Sequence, residues 1–294
     1  MTAYRGRFAP SPTGALHFGS LVAAVASWLD ARSQGGTWLV RMEDVDETRT
    51  VPGAGEAILR QLAALGMRSD EEVVWQSRRK ALYEAALARL RAQGAVYRCR
   101  CSRKEVADSA LAGIEGPVYP GTCRGLHLDA GTPGADRLRV EAGVLSFVDR
   151  VQGEIAQDVS RDVGDFVLKR RDGLHAYQLA VVVDDADQAI TDVVRGADLL
   201  SSTPRQILLQ RLLGYATPRY LHIPVATHAN GEKLSKQTLA PSIEGGQAPV
   251  LVARALSFLG QPATGARDPR EMLQAAAQSW DPGRIPAATA RPAP

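Results

Sequence analysis

The sequence predicts an α/β protein with a parallel sheet, because strand and helix patterns alternate from its first residues. Residues 5–9 and 37–42 are short β-prone runs, and each precedes a segment with helical apolar spacing, at 16–31 and at 54–65. Parallel strands need a crossover of this length between them, and a helix is the usual one. In a chain of 294 residues, 45% of them hydrophobic, both faces of such a sheet can be covered.

The middle of the chain is less regular. We predict a helix over 77–93 that ends at Gly94, followed by short strands at 137–140 and 144–149 in a region rich in glycine and proline. This change of character indicates a small insert in the alternating pattern.

The last part of the chain returns to alternation. Asp172-Gly173 lies between two β-prone runs, 166–169 and 176–183, and predicts a hairpin. Further along, we predict strands at 189–194 and 220–225 and helices at 204–213, 249–259 and 269–279. The Pro/Ala-rich end, 287–294, is expected to be frayed.

Composition excludes several classes of protein. The net charge is only +3, so bulk charge does not indicate a partner, although basic clusters at 78–80, 98–104 and 169–171 are candidates for phosphate contacts or simply solvated charge. We find no targeting segment and no apolar run long enough to span a bilayer, which predicts a cytoplasmic protein. Three cysteines, all within residues 99–123, are too few and too close together for a disulfide scaffold.

A Pro/Gly turn joins the first predicted strand to the first predicted helix. The turn contains Pro10, Pro12 and Gly14, and His17 and Gly19 stand where the helix begins. Prolines stiffen such a turn, and glycines let the backbone approach a ligand. A helix N-terminus presents unpaired N–H groups and a positive dipole end to an anion. The segment is therefore a candidate phosphate site, although a lone His before a helix is more often structural.

A lysine pair far along the chain can complete that site. Lys233 and Lys236 follow Asn230-Gly231, more than 200 positions after the turn. Two ammonium groups opposite a helix N-terminus can hold a triphosphate, as the activation of a carboxylic acid as an adenylate requires. Because exposed lysine pairs are common, this pair is informative only together with the turn.

Five ordered blocks between Arg7 and Gln237 resemble the glutamyl branch of the class I aminoacyl-tRNA synthetases. Residues 10–19 (PSPTGALHFG) resemble the HIGH segment of these enzymes, and residues 233–237 (KLSKQ) resemble their KMSKS loop. The other three blocks are residues 41–46 (RMEDVD), 179–185 (LAVVVDD) and 194–200 (VRGADLL).

The resemblance implies a set of site residues. It places the glutamate substrate against Arg7, Phe8, Ala9, Pro10, Ser11, Glu43, Tyr177 and Arg195. It assigns ATP, which carries Mg²⁺, to His17, Gly19 and Lys236, and catalysis to His17, Lys233 and Lys236. In this scheme Arg7 and Arg195 hold the side-chain carboxylate in a planar fork, Glu43 receives the α-ammonium group and Tyr177 adds a hydroxyl.

The resemblance also implies a Rossmann-like catalytic core in two halves. We expect these halves at 1–94 and 165–245, with an inserted zinc-binding, tRNA-contacting subdomain at 95–164. A short helical C-terminal region with a frayed tail would occupy 246–294.

The three cysteines predict a structural zinc site. Cys99, Cys101 and Cys123 are clustered thiols in a reducing compartment, which favours tetrahedral zinc over idle cysteines. Spacing alone points to His127 as the fourth ligand, because Cys-x-x-x-His is ordinary zinc spacing. The resemblance points instead to Tyr119, whose phenol would lose its proton under the field of the metal.

The length of the chain indicates which group of proteins within the glutamyl branch it resembles. Full glutamyl-tRNA synthetases continue into an anticodon-binding domain, whereas only about 57 residues follow Gln237 here. The chain therefore resembles a family of truncated paralogues that activate glutamate without tRNA. That family transfers the glutamate to the cyclopentene-diol ring of queuosine in tRNA(Asp). The implied partners are ATP, L-glutamate and queuosine-modified tRNA(Asp).

Two other functions stay open at this point. One is a truncated glutamyl-tRNA synthetase that charges a tRNA 3′ end. The other is a catalytically inactive, zinc-containing tRNA-binding module, favoured by two departures from the family pattern: Ser20 replaces the second His of HIGH, and Gln237 replaces the last Ser of KMSKS. We expect a monomer that binds no membrane.

Overall fold

The computed structural model describes residues 3–109, 111–114, 116–228, 230–232 and 248–294. The α-helices are α1 (Phe18–Ser33), α2 (Ala54–Ala64), α3 (Lys80–Ala92), α4 (Arg103–Ser109), α5 (Val159–Asp162), α6 (Tyr177–Asp187), α7 (Thr203–Leu213), α8 (Ala248–Phe258) and α9 (Pro269–Gln278). The strands are β1 (Arg5–Phe8), β2 (Thr37–Met42), β3 (Val74–Trp75), β4 (Val96–Cys99), β5 (Leu111–Gly113), β6 (Gly116–Val118), β7 (Ala135–Leu138), β8 (Val144–Asp149), β9 (Gly153–Asp158), β10 (Val167–Lys169), β11 (Asp192–Gly196), β12 (Arg219–Ile223), β13 (Val225–Thr227) and β14 (Ala290–Pro292).

The central sheet has seven strands in the order β3-β2-β1-β11-β12-β8-β9. All neighbouring pairs are parallel except the β8–β9 hairpin. In β1 and β2, Arg7 lies opposite Leu39 and Phe8 lies opposite Val40. Five of the six residues of β2 are buried, as expected for a strand covered on both faces. The predicted α/β fold with a parallel sheet is confirmed.

Helix α1 lies at the centre of the larger core. It is apolar around most of its circumference, which is typical of a helix buried on all sides. One side covers the sheet, and the other packs against α8 and α9. Its first residue, Phe18, meets Phe258 of α8 edge-to-face with ring centroids 6.0 Å apart. The helix whose N-terminus faces the candidate phosphate site is therefore held rigidly.

A second, three-stranded sheet, β10-β7-β4, leads to the cysteine region with α4 and the β5–β6 hairpin. The division of the chain into four segments stays a prediction. Within the expected insert at 95–164, however, β8 and β9 hydrogen-bond into the edge of the central sheet. Long-range strand pairing of this kind leaves no mark on local composition.

Two expectations for the later part of the chain were wrong. Residues 176–183 were expected to form a strand, but 177–183 belong to α6 and Ala176 is its N-cap. Leu179 to Val183 are buried without a break, and such an apolar run fits a buried strand and a buried helix equally well. The end of the chain was expected to be frayed, but β14 pairs in parallel with β13, and the Arg291 guanidinium donates to the Phe258 carbonyl at 2.8 Å.

Across the described ranges, no helix is both long enough and apolar enough to cross a membrane.

Candidate active site

A cavity of about 240 Å³ lies at the carboxyl edge of the central sheet. Chain order reverses there, because β1 leads through α1 to β2 on one side, whereas β11 and β12 lie on the other. Open α/β sheets bind ligands at such a switch point, outside the carboxyl ends of the strands. The N-terminus of α1 forms part of the wall, with Gly19 and Ser20 among the lining residues.

The cavity brings together most of the site residues that the sequence predicted. The lining includes Arg7, Phe8, Ala9, Pro10, Ser11, His17, Gly19, Glu43, Tyr177 and Arg195. Glu43 directly follows β2, and Arg195 lies in β11, so parallel strands carry both to one edge. Lys233 and Lys236 lie outside the described residues.

Arg7 reaches the cavity with its charge already paired. Its Nε donates to Asp185 Oδ1 at 2.9 Å, and its Nη2 donates to Oδ2 at 3.2 Å. Burial by itself would raise the pKa of Asp185, but the charges of Arg7 and Arg41 hold that pKa below its ordinary value. Asp185 therefore stays ionised and fixes the plane of the Arg7 guanidinium.

Arg41 links this pair to Glu43. One Arg41 nitrogen, Nη2, donates to Asp185 Oδ1 at 2.8 Å and to Glu43 Oε1 at 3.2 Å, while Nη1 donates to Gln188 Oε1 at 2.8 Å. Burial raises the pKa of Glu43, although Arg41 and Arg7 oppose the shift. Glu43 thus presents a carboxylate to the cavity while one of its oxygens is held from behind.

Sequence reasoning gave no role to Asp185 or Arg41, although both lie in blocks that it quoted. The sequence signal for Asp185 was an acidic pair that ends an apolar run, and the signal for Arg41 was an arginine within a predicted strand. A buried charge needs a buried partner, but Asp185, the nearest anionic partner of Arg41 at 2.8 Å, is 144 positions away in the chain.

Arg195 is held on two sides. Its Nε donates to His222 Nε2 at 3.0 Å, and its Nη2 donates to Thr203 Oγ1 at 2.9 Å. The third nitrogen, Nη1, is buried and has no hydrogen-bond partner within the part of the chain that the structure describes. Tyr177, the first residue of α6, lines the same cavity, and burial together with Glu43 raises its pKa to about 12. The wall of the cavity therefore includes the Arg195 guanidinium and the neutral hydroxyl of Tyr177.

His17 is the N-cap of α1. Its Nδ1 accepts from the Ser20 backbone N–H at 3.4 Å, and its Nε2 lies 3.0 Å from the Ser20 hydroxyl. Ser20, the residue that departs from the HIGH pattern, is therefore a direct partner of His17. The imidazole is held at the helix N-terminus, where an anion is favoured.

The three cysteines converge as the sequence predicted. The Sγ atoms of Cys99, Cys101 and Cys123 lie within 4.8 Å of one another, and those of Cys101 and Cys123 are 3.5 Å apart. Tetrahedral zinc, with Zn–S bonds of about 2.3 Å, needs sulfurs roughly 3.8 Å apart. The donor set and its spacing fit such an ion.

Tyr119 lies against this cluster, whereas His127 does not belong to it. The Tyr119 hydroxyl is 3.3 Å from Cys99 Sγ and 3.7 Å from Cys101 Sγ, and it accepts from the Cys123 backbone N–H at 2.8 Å. His127 is exposed, and among the described residues the metal-ligating group contains the three cysteines alone. Burial would raise the pKa of the Cys123 thiol, but hydrogen bonds from Tyr119 and a backbone N–H lower it to about 7, which favours the metal-binding thiolate.

Most of the basic clusters are used in ion pairs. Arg79 pairs with Asp184 and Asp187, and Lys169 with Glu84. Arg98, which we had expected to be available to phosphate, donates to Asp136 and to the Thr132 carbonyl. Exposed basic side chains stand beside the cysteine cluster at Arg100, Arg103 and Lys104.

Comparison with known proteins identifies the class. A family model described as "tRNA synthetases class I (E and Q), catalytic domain" matches residues 3–272. The chain therefore belongs to the class I tRNA synthetase family, a family of ligases, and the cavity at the switch point lies in its catalytic domain.

Within that family the chain is similar to proteins named glutamyl-Q tRNA(Asp) synthetase. It is 63% identical over 261 residues to one from Dechloromonas aromatica, covering 88% of this chain and 86% of the relative. It is 56% identical over 285 residues to one from Chromobacterium violaceum (97% and 96% covered) and 60% identical over 291 residues to one from Burkholderia mallei (96% and 97%). The family predicted from the sequence motifs is confirmed.

Solved structures support the fold. A glutamate-tRNA synthetase from Elizabethkingia anophelis superposes with a TM-score of 0.82 at 24% identity, covering 99% of this chain and 68% of that one. A glutamate tRNA ligase from Elizabethkingia meningosepticum, solved with its amino acid, gives 0.83 at 23% identity, covering 100% and 67%.

Proposed function

We propose that this enzyme activates L-glutamate with ATP in the absence of tRNA and transfers it to the cyclopentene-diol ring of queuosine in tRNA(Asp). The observation that carries the proposal is the convergence of Arg7, Glu43, Tyr177 and Arg195 on one cavity beside the α1 N-terminus. The relatives' name supplies the nucleoside and the tRNA.

The charges of the cavity suit glutamate. We assign the side-chain carboxylate to the guanidinium of Arg195, whose Nη1 has no partner in the part of the chain that the structure describes, assisted by the Tyr177 hydroxyl and the positive charge of Arg7. Glu43 takes the α-ammonium group. Glutamine would leave the Arg195 guanidinium buried without its anion, and such a loss costs about 2–4 kcal/mol. This difference is the basis of selection against glutamine.

Adenylate formation needs no general base, because the attacking group is already a carboxylate. One oxygen of the glutamate α-carboxylate bonds to the α-phosphorus, the bond to the β-phosphate bridge breaks, and pyrophosphate leaves with the electron pair. Positioning and charge neutralisation then dominate catalysis. His17 and the α1 N-terminus hold the phosphates, and Lys233 and Lys236 neutralise the leaving pyrophosphate. Mg²⁺ bound with ATP would add to that neutralisation.

Transfer forms an ester. A hydroxyl of the cyclopentene-diol attacks the adenylate carbonyl, and the bond between that carbonyl carbon and the phosphate oxygen breaks. AMP leaves, and its phosphate takes up the proton of the hydroxyl. We assign tRNA phosphates to the exposed Arg100, Arg103 and Lys104 beside the cysteine cluster. Cys99, Cys101, Cys123 and Tyr119 would hold a structural zinc ion, because four protein ligands leave no open position for substrate. We expect this reaction in the cytoplasm, where ATP and tRNA are found.

Pyrophosphate exchange tests the proposal. We expect glutamate-dependent ATP–pyrophosphate exchange without tRNA. Exchange that strictly requires tRNA would indicate a truncated enzyme that charges a 3′ end, and no exchange would indicate an inactive binding module. Both candidate acceptors are cis-diols, so periodate protection of tRNA(Asp) by labelled glutamate identifies the acceptor. Protection of the terminal ribose alone would contradict transfer to queuosine.

A further inference from the structure

Three neighbouring strands place a carboxylate, an imidazole and a guanidinium in one buried line. Asp149 ends β8, His222 lies in β12, and Arg195 lies in β11 opposite His222. His222 Nδ1 is 2.6 Å from Asp149 Oδ2, and His222 Nε2 accepts from Arg195 Nε at 3.0 Å. The side chains of Asp149 and His222 have no exposed surface, so both are shielded from bulk water.

The hydrogen-bonded line formed by Asp149, His222 and Arg195 allows only one protonation state of His222. Arg195 Nε can only donate, so His222 Nε2 must accept and cannot carry a proton. The proton then lies on Nδ1 and is donated to Asp149. Thr203 Oγ1 lies 3.3 Å from the same Nε2 and accepts from Arg195 Nη2. Its contact with His222 does not require a proton on Nε2. Burial, only partly opposed by Asp149, lowers the pKa of His222 to about 4, so the ring is neutral at physiological pH.

Asp149 is itself held by the backbone. Its Oδ1 accepts from the N–H groups of Val151 at 3.0 Å, Gln152 at 2.9 Å and His222 at 3.1 Å. Three donors on one oxygen fix the rotation of the carboxylate, so Oδ2 must face the imidazole. The strand end therefore dictates which ring nitrogen carries the proton.

We infer that Asp149 and His222 are positioning residues that set the tautomer and hold the Arg195 guanidinium, whose Nη1 has no hydrogen-bond partner among the described residues, in the wall of the glutamate cavity. The inference rests on the glutamate role proposed above for Arg195. Neither residue lines the cavity. Their effect on the reaction passes entirely through the guanidinium, and it concerns glutamate rather than ATP.

Asp149→Asn tests the inference with almost no change of shape. The three backbone N–H groups would hold the amide oxygen, so the amide NH₂ would face His222 Nδ1 as a donor. Nδ1 would then have to accept, and the proton would move to Nε2, where it meets Arg195 Nε–H. We expect the KM for glutamate in pyrophosphate exchange to rise about 10- to 100-fold, the effect of one lost hydrogen bond to a charged group. The KM for ATP and the kcat at saturating glutamate should change less than about threefold.

Two His222 variants test separately its hydrogen bond to Asp149 and its hydrogen bond from Arg195. In His222→Asn the amide nitrogen is as many bonds from Cβ as Nδ1, so it can donate to Asp149 but cannot reach Arg195. In His222→Gln the amide oxygen is as many bonds from Cβ as Nε2, so it can accept from Arg195 but leaves Asp149 without its donor. We expect the Asn variant to raise the KM for glutamate as Asp149→Asn does. The Gln variant should keep the KM within a few fold of the wild-type value and lower the melting temperature.

Asp136→Asn is the control, because Asp136 is also a buried carboxylate with side-chain partners, Arg91 and Arg98, but lies in β7, away from the cavity. It should lower the melting temperature and leave the KM for glutamate unchanged. Equal increases in the KM for glutamate and for ATP, or an unchanged KM for glutamate in Asp149→Asn, would overturn the inference.

A second readout separates this inference from the proposed function. Nitrogen-15 spectra of labelled histidine distinguish the two neutral tautomers, and we expect the proton of His222 on Nδ1 in the wild type and on Nε2 in Asp149→Asn. Absence of glutamate-dependent exchange in the wild type would refute the proposed function while these spectra still test the line. A wild-type proton on Nε2 would refute the line whatever the activity.

Discussion

Removal of the Asp185 carboxylate is the sharpest test of the charge network behind the cavity. Asp185→Ala would delete an anion that is 8% exposed and that accepts from Arg7 and Arg41. Arg7 would lose both of its bonds to this residue. Arg41 would keep the neutral Gln188 amide at 2.8 Å, Glu43 at 3.2 Å and the more distant Asp184 at 3.8 Å. Removing one partner from a buried ion pair costs about 3–5 kcal/mol, because the remaining charge is buried without compensation.

The measurement is thermal unfolding, with Asp187→Ala as the matched control on the same helix. We expect Asp185→Ala to lower the melting temperature by on the order of 10 °C, at roughly 2–4 °C per kcal/mol for a chain of this size. Asp187 pairs with Arg79 but is 50% exposed, and such a pair contributes about 1 kcal/mol or less. Equal losses in the two variants would refute the claim that Asp185 holds the network.

The pH dependence gives a second check with a definite sign. The pKa of Asp185 is lower in the folded state than the ordinary value of about 3.9. The stability that it adds is therefore present above that value and is lost as the pH falls through the folded-state pKa. The difference between wild type and Asp185→Ala should be largest near neutral pH and should shrink in acid. A difference that grows in acid would contradict an ionised Asp185.

Three further predictions concern the reaction and its partners. Lys236→Ala should slow glutamate-dependent pyrophosphate exchange about 100-fold or more, which is the effect of losing one preorganised charge donor. The control is Lys80→Ala, because Lys80 is a surface lysine paired with Glu47. A rate close to wild type in Lys236→Ala would show that Lys236 takes no part in the chemistry. Treatment with a zinc chelator should reduce transfer to tRNA or thermal stability before it reduces exchange, and an earlier loss of exchange would contradict a structural role for the metal. Arg100→Ala and Arg103→Ala should each lower the slope of log(kcat/KM) for tRNA against log salt by about one, and unchanged slopes would show that neither contacts phosphate.

Strand and helix bounds were predictable where local pattern decides them. The predicted run 37–42 coincides with β2, and 204–213 falls within α7, because the hydrophobic period and the flanking breakers are local properties. The strand predicted at 176–183 was wrong, because an uninterrupted apolar run has no period that distinguishes a strand from a helix. Pairing between β13 and β14 was also missed, because nothing near 287–294 indicates a partner some 65 positions earlier in the chain.

In the candidate site, too, some residues could be predicted from the sequence and others could not. Motif resemblance identified the residues that line the cavity, including Arg7, Glu43 and Arg195. It did not identify the residues that hold them, namely Asp185 for Arg7 and His222 for Arg195. Lining residues are constrained by the ligand and so carry a recognisable pattern, whereas supporting residues are defined only by their contacts.

By itself the sequence determined the class of the protein, the order of its first strands and helices, and the chemical types of the groups in the cavity, because these depend on local period and on short motifs. Only the tertiary structure decided which buried charges are paired, which nitrogen of His222 accepts and which nitrogen of Arg195 lacks a partner among the described residues. The physical reason is that hydrogen bonds and ion pairs depend on distances of a few ångströms. Such distances arise between residues far apart in the chain only once the sheet has aligned its strands.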